Sequence, residues 1–323
     1  AAEMAEDSCN ITLAVDSVGL ISIYSLVFAL ALPCNLLSLW GLYRLLRSGN
    51  VMPIFIFNLL VSDLLQVLTF PMWIIYLKNG HQWTFQAGAC NFVGFLFYIN
   101  LYASVAFLSL VALDRYLAIV HPLRSRGFRT VKVALVTSVI VWVVTFLFCL
   151  SGLYPTVYDE KKQLCLEKYP VAKRYAMFKI VTVILGFLVP CCILGYTSVR
   201  IRWELRSSPS VTQEERRKIV GILCIITVIF IVVFGPYHLV GSYKFVYYFI
   251  TDSNCDMERT LFLCYRLCYG LTSLNSLLDP LLYIFICDNI RQELKKSLPC
   301  LRAYKMRKES QVQLNSNVEI ASL

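Results

Sequence analysis

Two adjacent charged residues, Asp114 and Arg115, stand at the end of a long apolar stretch that begins at Cys90. A helix needs about 20 apolar residues to cross a bilayer, and this stretch is longer. Charges placed where such a helix leaves the membrane are costly and therefore indicate a functional role. Tyr116 follows directly. We predict that Asp114 and Arg115 form an ion pair that loosens when Asp114 is protonated or when a neighbouring helix moves away.

Other polar residues lie inside apolar runs, where ionisable side chains mark functional sites. Asp63 and Asp279 each interrupt a different run. Two carboxyls that lie close together in a low dielectric do not both ionise readily, so we expect one of them to keep its proton. The predicted polar pocket consists of Asp63, Asn100, Ser104, Asn275 and Asp279.

These residues belong to a chain of 323 residues that is 58% hydrophobic and 15% charged, with a mean hydropathy of +0.65. Soluble domains are about 25% charged. Seven runs of spanning length, named spans 1 to 7, lie at 18–43, 52–78, 88–120, 130–153, 174–205, 212–247 and 258–286. The runs are continuous and too long for the strands of a membrane barrel. We predict an all-α membrane protein with a seven-transmembrane-helix bundle over residues 18–286.

Basic residues are distributed unevenly between the two predicted sides. With the N-terminus outside, the inner loops and tail hold 20 of the 30 Lys and Arg residues, as the positive-inside rule requires. Asn10 begins an Asn-Ile-Thr glycosylation acceptor, which is useful only outside. The net charge of +10 therefore reflects topology and not nucleic-acid binding. These features predict a plasma-membrane protein with an extracellular N-terminus.

The two ends of the chain are more polar than the bundle. Residues 1–17 form the predicted extracellular segment, which we expect to be flexible apart from Cys9. Residues 287–299 alternate basic and apolar residues in a way that predicts a short amphipathic helix on the inner membrane surface. Cys300 is a candidate for palmitoylation. Residues 300–323 form the predicted cytoplasmic tail.

Motifs at matching places in several spans resemble those of the rhodopsin-like (class A) G-protein-coupled receptors, over about residues 9–300. These motifs are Asp114-Arg115-Tyr116 in span 3, Phe230, Phe234 and Pro236 in span 6, and Asp279-Pro280-Leu281-Leu282-Tyr283 in span 7. The resemblance implies a receptor that activates heterotrimeric G proteins and engages arrestin, receptor kinases and membrane lipids. It implies no cofactor, apart from sodium in the polar pocket around Asp63. The residues contain no nucleophile–base set, metal motif or phosphate loop, so we predict that the protein is not an enzyme.

The same resemblance assigns the activation switch to Asp114, Arg115, Tyr116, Phe230, Phe234, Pro236, Pro280 and Tyr283. Two positions depart from the family's pattern. Phe234 stands where many members have tryptophan, and Ser198 stands where many have a tyrosine that steadies the active state.

Four cysteines lie in the predicted outer segments, where oxidising surroundings permit disulfides. The resemblance implies a bond between Cys90 and Cys165, which ties the second outer loop to span 3. Cys9 and Cys255 remain as a second pair that would tie the N-terminus to the third outer loop. His and Cys residues show no zinc-ligand spacing, so we predict no metal other than sodium.

The outer half of the bundle combines aromatic and cationic residues. The candidate ligand-binding residues are Trp73, Tyr98, Tyr102, Lys179, Tyr237, His238, Lys244 and Arg266. Cations beside an aromatic slot suit an anionic amphiphile, such as a lysolipid or another lipid mediator. The open alternative is that these cations extend to the lipid headgroups or pair with loop acids.

Four short stretches narrow the resemblance to the proton-sensing and lysolipid-linked, G2-accumulation-receptor-like group. They are residues 79–84, 165–170, 236–238 and 271–275. In that group histidines and buried acids titrate near neutral pH, which implies sensing roles for His81, Glu167, His238, Asp63 and Asp279. Thr145 stands where the proton sensors carry a glutamate, and the chain has only three histidines.

We predict a lipid-type receptor with pH modulation. The alternatives are a proton-sensing receptor and a seven-span transporter or scavenging receptor without G-protein output.

Overall fold

The computed structural model describes Cys9 and residues 11–46, 50–154, 157–167, 169, 171–207, 212–251 and 255–286, with the side chains of 44–46, 207 and 283–286 excluded. Asn10, Cys300, the Tyr283 side chain and the predicted surface helix at 287–299 lie outside the described residues.

Seven helical spans follow one another along the described chain. They are Ser17–Leu46 (span 1), Met52–Val67 with Phe70–Lys78 (span 2), Ala87–Val120 (span 3), Val131–Leu153 (span 4), Lys173–Val183 with Ile184–Leu188 and Val189–Ser207 (span 5), Gln213–Val228 with Ile229–Phe234 and Gly235–Thr251 (span 6), and Cys255–Leu271 with Thr272–Leu274 and Asn275–Ile286 (span 7). Spans 1 to 6 are each long and apolar enough to cross a membrane. Span 7 packs against spans 1 and 2, which completes the predicted seven-helix bundle.

Smaller elements lie between the spans. A 3-10 turn, Leu13–Asp16, leads into span 1, and the short helix Pro122–Ser125 follows span 3. Strand β1 (Tyr158–Asp159) pairs antiparallel with β2 (Leu164–Cys165) in the loop between spans 4 and 5.

Prolines account for two irregular turns in the long helices. The π-helical turn Ile184–Leu188 ends just before Pro190, and the π-helical turn Ile229–Phe234 ends just before Pro236. Proline lacks an N–H, and its ring crowds the carbonyl four residues earlier, so the helix widens locally. Phe230 and Phe234 both lie in the second of these turns.

Polar side chains inside the bundle face other helices. Asn35 on span 1 donates from Nδ2 to the carbonyl of Ala31 at 2.8 Å and to that of Ser276 on span 7 at 2.7 Å. Such bonds hold membrane helices together because a polar group facing lipid stays unsatisfied. Apolar side chains such as Val139 and Leu147 on span 4 are exposed, as expected for a lipid-facing surface.

Both disulfides of the described chain lie at one end of the bundle, named here the disulfide end. Cys90 at the start of span 3 is bonded to Cys165 on β2. Cys9 is bonded to Cys255 at the start of span 7. These are the two pairings expected from the sequence. The opposite end, named the Asp114 end, holds the end of span 3.

Candidate functional site

Four buried ionisable side chains form a closed ring at the disulfide end, named here the charged quartet: Asp16, His81, Glu167 and Arg266. His81 contacts Asp16 through Nε2 at 2.9 Å and Glu167 through Nδ1 at 3.1 Å. Arg266 donates from Nε to Asp16 at 2.6 Å and contacts Glu167 through Nη2 at 2.7 Å. Two cations therefore alternate with two acids, and each charge has two partners of opposite sign.

Four separate elements supply the quartet. Asp16 ends the 3-10 turn before span 1, His81 follows span 2, Glu167 follows β2 and Arg266 lies on span 7. His81 has a φ of 64°, a left-handed conformation that non-glycine residues rarely adopt. The expectation that residues 1–17 are flexible apart from Cys9 is wrong at Asp16, whose carboxylate is buried between His81 and Arg266.

The quartet determines the charge of His81. Burial lowers the pKa of His81, but hydrogen bonds with Asp16 and Glu167 act in the opposite direction and raise the pKa to about 9. His81 therefore stays charged between pH 8 and pH 6, the interval in which a proton sensor has to titrate. The prediction that His81 titrates near neutral pH is not supported by this geometry, because both ring nitrogens already face carboxylates.

A cavity of about 220 Å³ lies beside the quartet, between spans 3 to 7 and the β1–β2 loop. Its aromatic lining consists of Tyr98, Tyr154, Tyr158, Tyr169, Tyr175, Phe245, Tyr265 and Tyr269. Of the predicted ligand-binding residues, Tyr98, Lys244 and Arg266 line the cavity. The others do not: Trp73, Tyr102, Lys179, Tyr237 and His238. The chain has 19 tyrosines, and sequence alone does not show which of them face a shared space.

Lys244 is a buried cation in the cavity wall. Its Nζ lies 4.9 Å from the centroid of the Tyr265 ring and 5.6 Å from that of Phe245, which are cation–π distances. Glu258 attracts it electrostatically, but no carboxylate of the described chain lies within 4.0 Å of the Nζ. Arg266 lines the same cavity and is already paired with two acids. Lys244 is thus the cavity's buried cation without an ion-pair partner among the residues described.

Lys179 lies behind the cavity wall and joins three spans. From span 5, its Nζ donates to the hydroxyl of Tyr98 on span 3 at 2.7 Å and to that of Tyr237 on span 6 at 2.6 Å. The Tyr98 hydroxyl also bonds that of Tyr175 at 2.7 Å. Within the described residues, Lys179 has no carboxylate at ion-pair distance, so phenol oxygens replace the usual acids.

The remaining predicted residues near the cavity pack into the core. The His238 ring stacks on Phe187 with the centroids 5.0 Å apart, and its Nε2 has no hydrogen-bond partner among the described residues. Trp73 packs against Trp83 at 5.7 Å, and Tyr102 stacks near Tyr98 at 6.3 Å.

The structure brings the predicted polar pocket together in the middle of the bundle. Asn100 donates to Asp63 Oδ1 at 3.1 Å and to the Ser104 hydroxyl at 3.4 Å, and Asn275 lies 3.5 Å from the same Asp63 oxygen. Ser276 also donates to Asp63 Oδ1 at 3.0 Å, a contact that the sequence did not predict.

The acids of this pocket keep free oxygens. Asp63 Oδ2 and both carboxyl oxygens of Asp279 lack a hydrogen-bond partner among the described residues, as does Asn275 Oδ1. Hard cations prefer such oxygen ligands, so the donor set fits a sodium ion. In the described part of the chain, no group of three or more His, Cys, Asp or Glu side chains forms a metal cluster.

At the Asp114 end, the predicted ion pair between Asp114 and Arg115 is formed. Asp114 accepts from Arg115 Nη2 at 2.6 Å and from Arg129 Nε at 2.9 Å. Arg129 lies in the loop after span 3. Its contact with Asp114 was not predicted from the sequence, because it depends on the path of that loop. The Tyr116 hydroxyl bonds His121 Nε2 at 3.0 Å.

The aromatic and proline parts of the switch lie within spans 6 and 7. The buried rings of Phe230 and Phe234 meet edge to face, 5.6 Å apart. Pro236 lies in Gly235–Thr251 and Pro280 in Asn275–Ile286. Ser198 presents a buried hydroxyl that has no hydrogen-bond partner in the described part of the chain.

Comparison with known proteins places this chain among receptors. The profile of the 7 transmembrane receptor (rhodopsin family) matches residues 34–283. The human probable G-protein coupled receptor 132 is 31% identical over 294 residues, covering 89% of this chain and 76% of that protein. Human G-protein coupled receptor 65 is 30% identical over 282 residues, with 84% of each chain covered. The human uracil nucleotide/cysteinyl leukotriene receptor is 33% identical over 290 residues, covering 89% of this chain and 78% of that protein.

Proposed function

Because the chain belongs to the rhodopsin family of seven-transmembrane receptors, we propose that it responds to an anionic amphiphile of the lysolipid or lipid-mediator class. The protein is a G-protein-coupled receptor and a multi-pass protein of the plasma membrane. Its membership in the group that includes G-protein coupled receptors 132 and 65 agrees with the motifs in its outer loops and in spans 6 and 7. The predictions of a class A receptor and of a protein that is not an enzyme are confirmed.

Lys244 carries the ligand proposal. It is a buried cation in an aromatic cavity and has no carboxylate within ion-pair distance among the described residues. A buried charge that has an acid only at longer range, here Glu258, is costly, so an anionic head group in direct contact with it gains a strong partner. Arg266 does not play this part, because Asp16 and Glu167 already neutralise it.

The size of the cavity supports an amphiphile whose head group enters first. Pockets for drug-sized ligands measure about 300–1,000 Å³, and this cavity measures about 220 Å³. A head group and the first part of a chain fit this space, while the rest of the chain extends beyond it. One relative is named for uracil nucleotides and cysteinyl leukotrienes, both of which carry negative charge, so a nucleotide is the competing anion to test.

Acid alone is a weaker candidate for the stimulus. His81 keeps its proton from pH 8 to pH 6 because its pKa is about 9. His238 lies against the rings of Phe187 and Tyr237. Neither arrangement favours a histidine that gains its charge on mild acidification.

Orientation, partners and the modulating ion are part of the same proposal. Disulfides form on the oxidising side of the membrane, which supports an extracellular disulfide end and N-terminus. The Asp114 end then meets the heterotrimeric G protein, arrestin and receptor kinases. Sodium bound by Asp63 and Asp279 is the proposed modulating ion, held by Ser104 and Asn275 oxygens beside them.

The test is G-protein activation in cells that express the chain with an N-terminal tag, stained without permeabilisation to check surface amount and orientation. A panel of oleoyl-lysophosphatidic acid, oleate and uridine diphosphate is applied at pH 8 and pH 6. We expect the lipids to activate and Lys244→Gln to raise the half-maximal concentration about tenfold or more, as loss of one charged hydrogen bond predicts.

The matched control is Lys78→Gln, which removes an exposed lysine at the same end of the bundle and should leave the potency unchanged. A steep response to acid without lipid, or a response to the nucleotide alone, would overturn the lipid proposal. Equal effects of Lys78→Gln and Lys244→Gln would do the same.

A further inference from the structure

Part of the cavity wall is formed by tyrosines. Tyr98, Tyr175 and Tyr269 all line the cavity, and we name them the phenol wall. The Tyr269 side chain is buried, and its hydroxyl has no hydrogen-bond partner among the described residues. A buried hydroxyl without a partner is unfavourable, so this oxygen marks a place where a ligand atom completes the site.

Lys179 sets the direction of the hydroxyl dipoles in this wall. Its ammonium donates to the Tyr98 oxygen at 2.7 Å, so the proton of Tyr98 points away from Lys179, toward Tyr175 or the cavity. The Lys179 Nζ also lies 4.1 Å from the centroid of the Tyr98 ring. A phenol that accepts a bond from a cation becomes a stronger donor. The wall therefore presents hydroxyl donors whose direction is set by the bond from Lys179.

We propose that the phenol wall is a second subsite, which takes an acceptor oxygen of the ligand while the anionic head group contacts Lys244. Lys179 acts on this subsite as a positioning residue, through Tyr98. The inference rests on the proposed function and narrows its ligand class. The preferred ligand carries an ester carbonyl or hydroxyl close to its anionic group, whereas a simple alkyl phosphate leaves the phenol wall unsatisfied.

Two probes with the same hydrocarbon chain length and the same phosphate separate ligands that carry an ester or hydroxyl from simple alkyl phosphates. Oleoyl-lysophosphatidic acid carries an ester and a hydroxyl next to the phosphate, and oleyl phosphate carries neither. Equilibrium binding to the purified receptor in lipid nanodiscs gives the ratio of the two affinities. We expect the ratio to be about tenfold in favour of the lysophosphatidic acid, the value that one or two hydrogen bonds contribute.

Removal of single hydroxyls tests the assignment while the rings stay in place. Tyr98→Phe and Tyr269→Phe should each reduce the affinity ratio to about threefold or less and leave oleyl phosphate binding almost unchanged. Lys179→Gln should also reduce the ratio, and Lys179→Arg should restore most of it. Tyr243→Phe, on an exposed tyrosine of span 6, is the matched control and should keep the full ratio.

Two results would overturn the subsite. One is a wild-type ratio near one, with binding of both probes still dependent on Lys244. The other is an equal loss of both probes in Tyr98→Phe and Tyr269→Phe, which would mean that these residues act only by packing. If neither probe binds, or if Lys244→Gln has no effect on either, the proposed lipid function itself fails, and the subsite fails with it.

Discussion

Two sets of buried cations lie at the disulfide end of this receptor, and their surroundings differ. In the charged quartet, His81 and Arg266 share the carboxylates of Asp16 and Glu167. At the cavity, Lys179 and Lys244 meet phenol oxygens and aromatic rings instead.

The comparison separates structural charge from available charge. A buried ion pair is self-contained, and breaking it leaves an uncompensated charge. A buried cation among rings still gains from an incoming anion. The presence of a cation near a cavity therefore does not by itself indicate a ligand contact. Arg266 is an example, because it lines the cavity but is already paired with Asp16 and Glu167.

The largest expected effect comes from breaking the quartet. Arg266→Ala leaves two buried acids with only His81 between them, and we expect the free energy of unfolding to fall by about 3–5 kcal/mol. Lys244→Met removes a buried cation that has no acid within ion-pair distance among the described residues, so it should lower stability by less than about 1 kcal/mol or raise it. Chemical unfolding of the purified receptor in detergent measures both changes.

Lys78→Met changes an exposed lysine and serves as the control for detergent and expression effects. If Lys244→Met lowers the free energy of unfolding as much as Arg266→Ala does, the distinction between the two sets of cations is wrong.

A smaller effect should appear as pH rises. The pKa of His81 is raised in the folded protein to about 9, so its contribution to stability is complete below about pH 6.5 and is lost as pH rises through about 9. The size is on the order of 3 kcal/mol across that interval. The thermal midpoint should fall between pH 7 and pH 9, and His81→Gln should remove most of that slope.

Gln82→Asn, a change at the exposed neighbour of His81, should leave the pH slope as it is in the wild type. A wild-type midpoint that stays flat from pH 7 to pH 9 would show that the quartet does not hold the His81 proton.

The smallest effect extends the comparison to acids. Asp63 and Asp279 have oxygens without partners among the described residues, so they are the acidic counterpart of Lys179 and Lys244. Sodium at ten times its dissociation constant should stabilise the receptor by about 1.4 kcal/mol. The measurement is the thermal midpoint in sodium chloride against choline chloride at equal ionic strength. Asp63→Asn should abolish the difference, and a difference that survives in this variant would rule out the pocket.

Several parts of the fold were predictable because local features determine them. The apolar runs predicted all seven spans, and the predicted bounds lie within four residues of the helix ends, with the largest difference at the end of span 6. Pro190 and Pro236 indicated where the helices are irregular, since a missing N–H acts on its own turn. The polar pocket followed from isolated polar residues in apolar spans, which must face inward.

The parts that were missed depend on contacts between distant segments. Asp16 looked like one more acid in a polar terminus, and Arg129 looked like one more base in an inner loop. Tyr269 looked like an ordinary aromatic residue of span 7. Each became a site residue only because another segment lies against it.

The sequence by itself determined that this chain crosses the membrane as a helical bundle, because hydrophobic length and the need to satisfy every backbone hydrogen bond leave few alternatives. It also determined the family, through motifs whose spacing is local to single spans. The tertiary structure alone decided which charges neutralise one another. Ion pairing depends on distances of a few ångströms between segments far apart in the chain, such as Asp16 and Arg266, and that distance is what separates a structural cation from one that is free to bind a ligand.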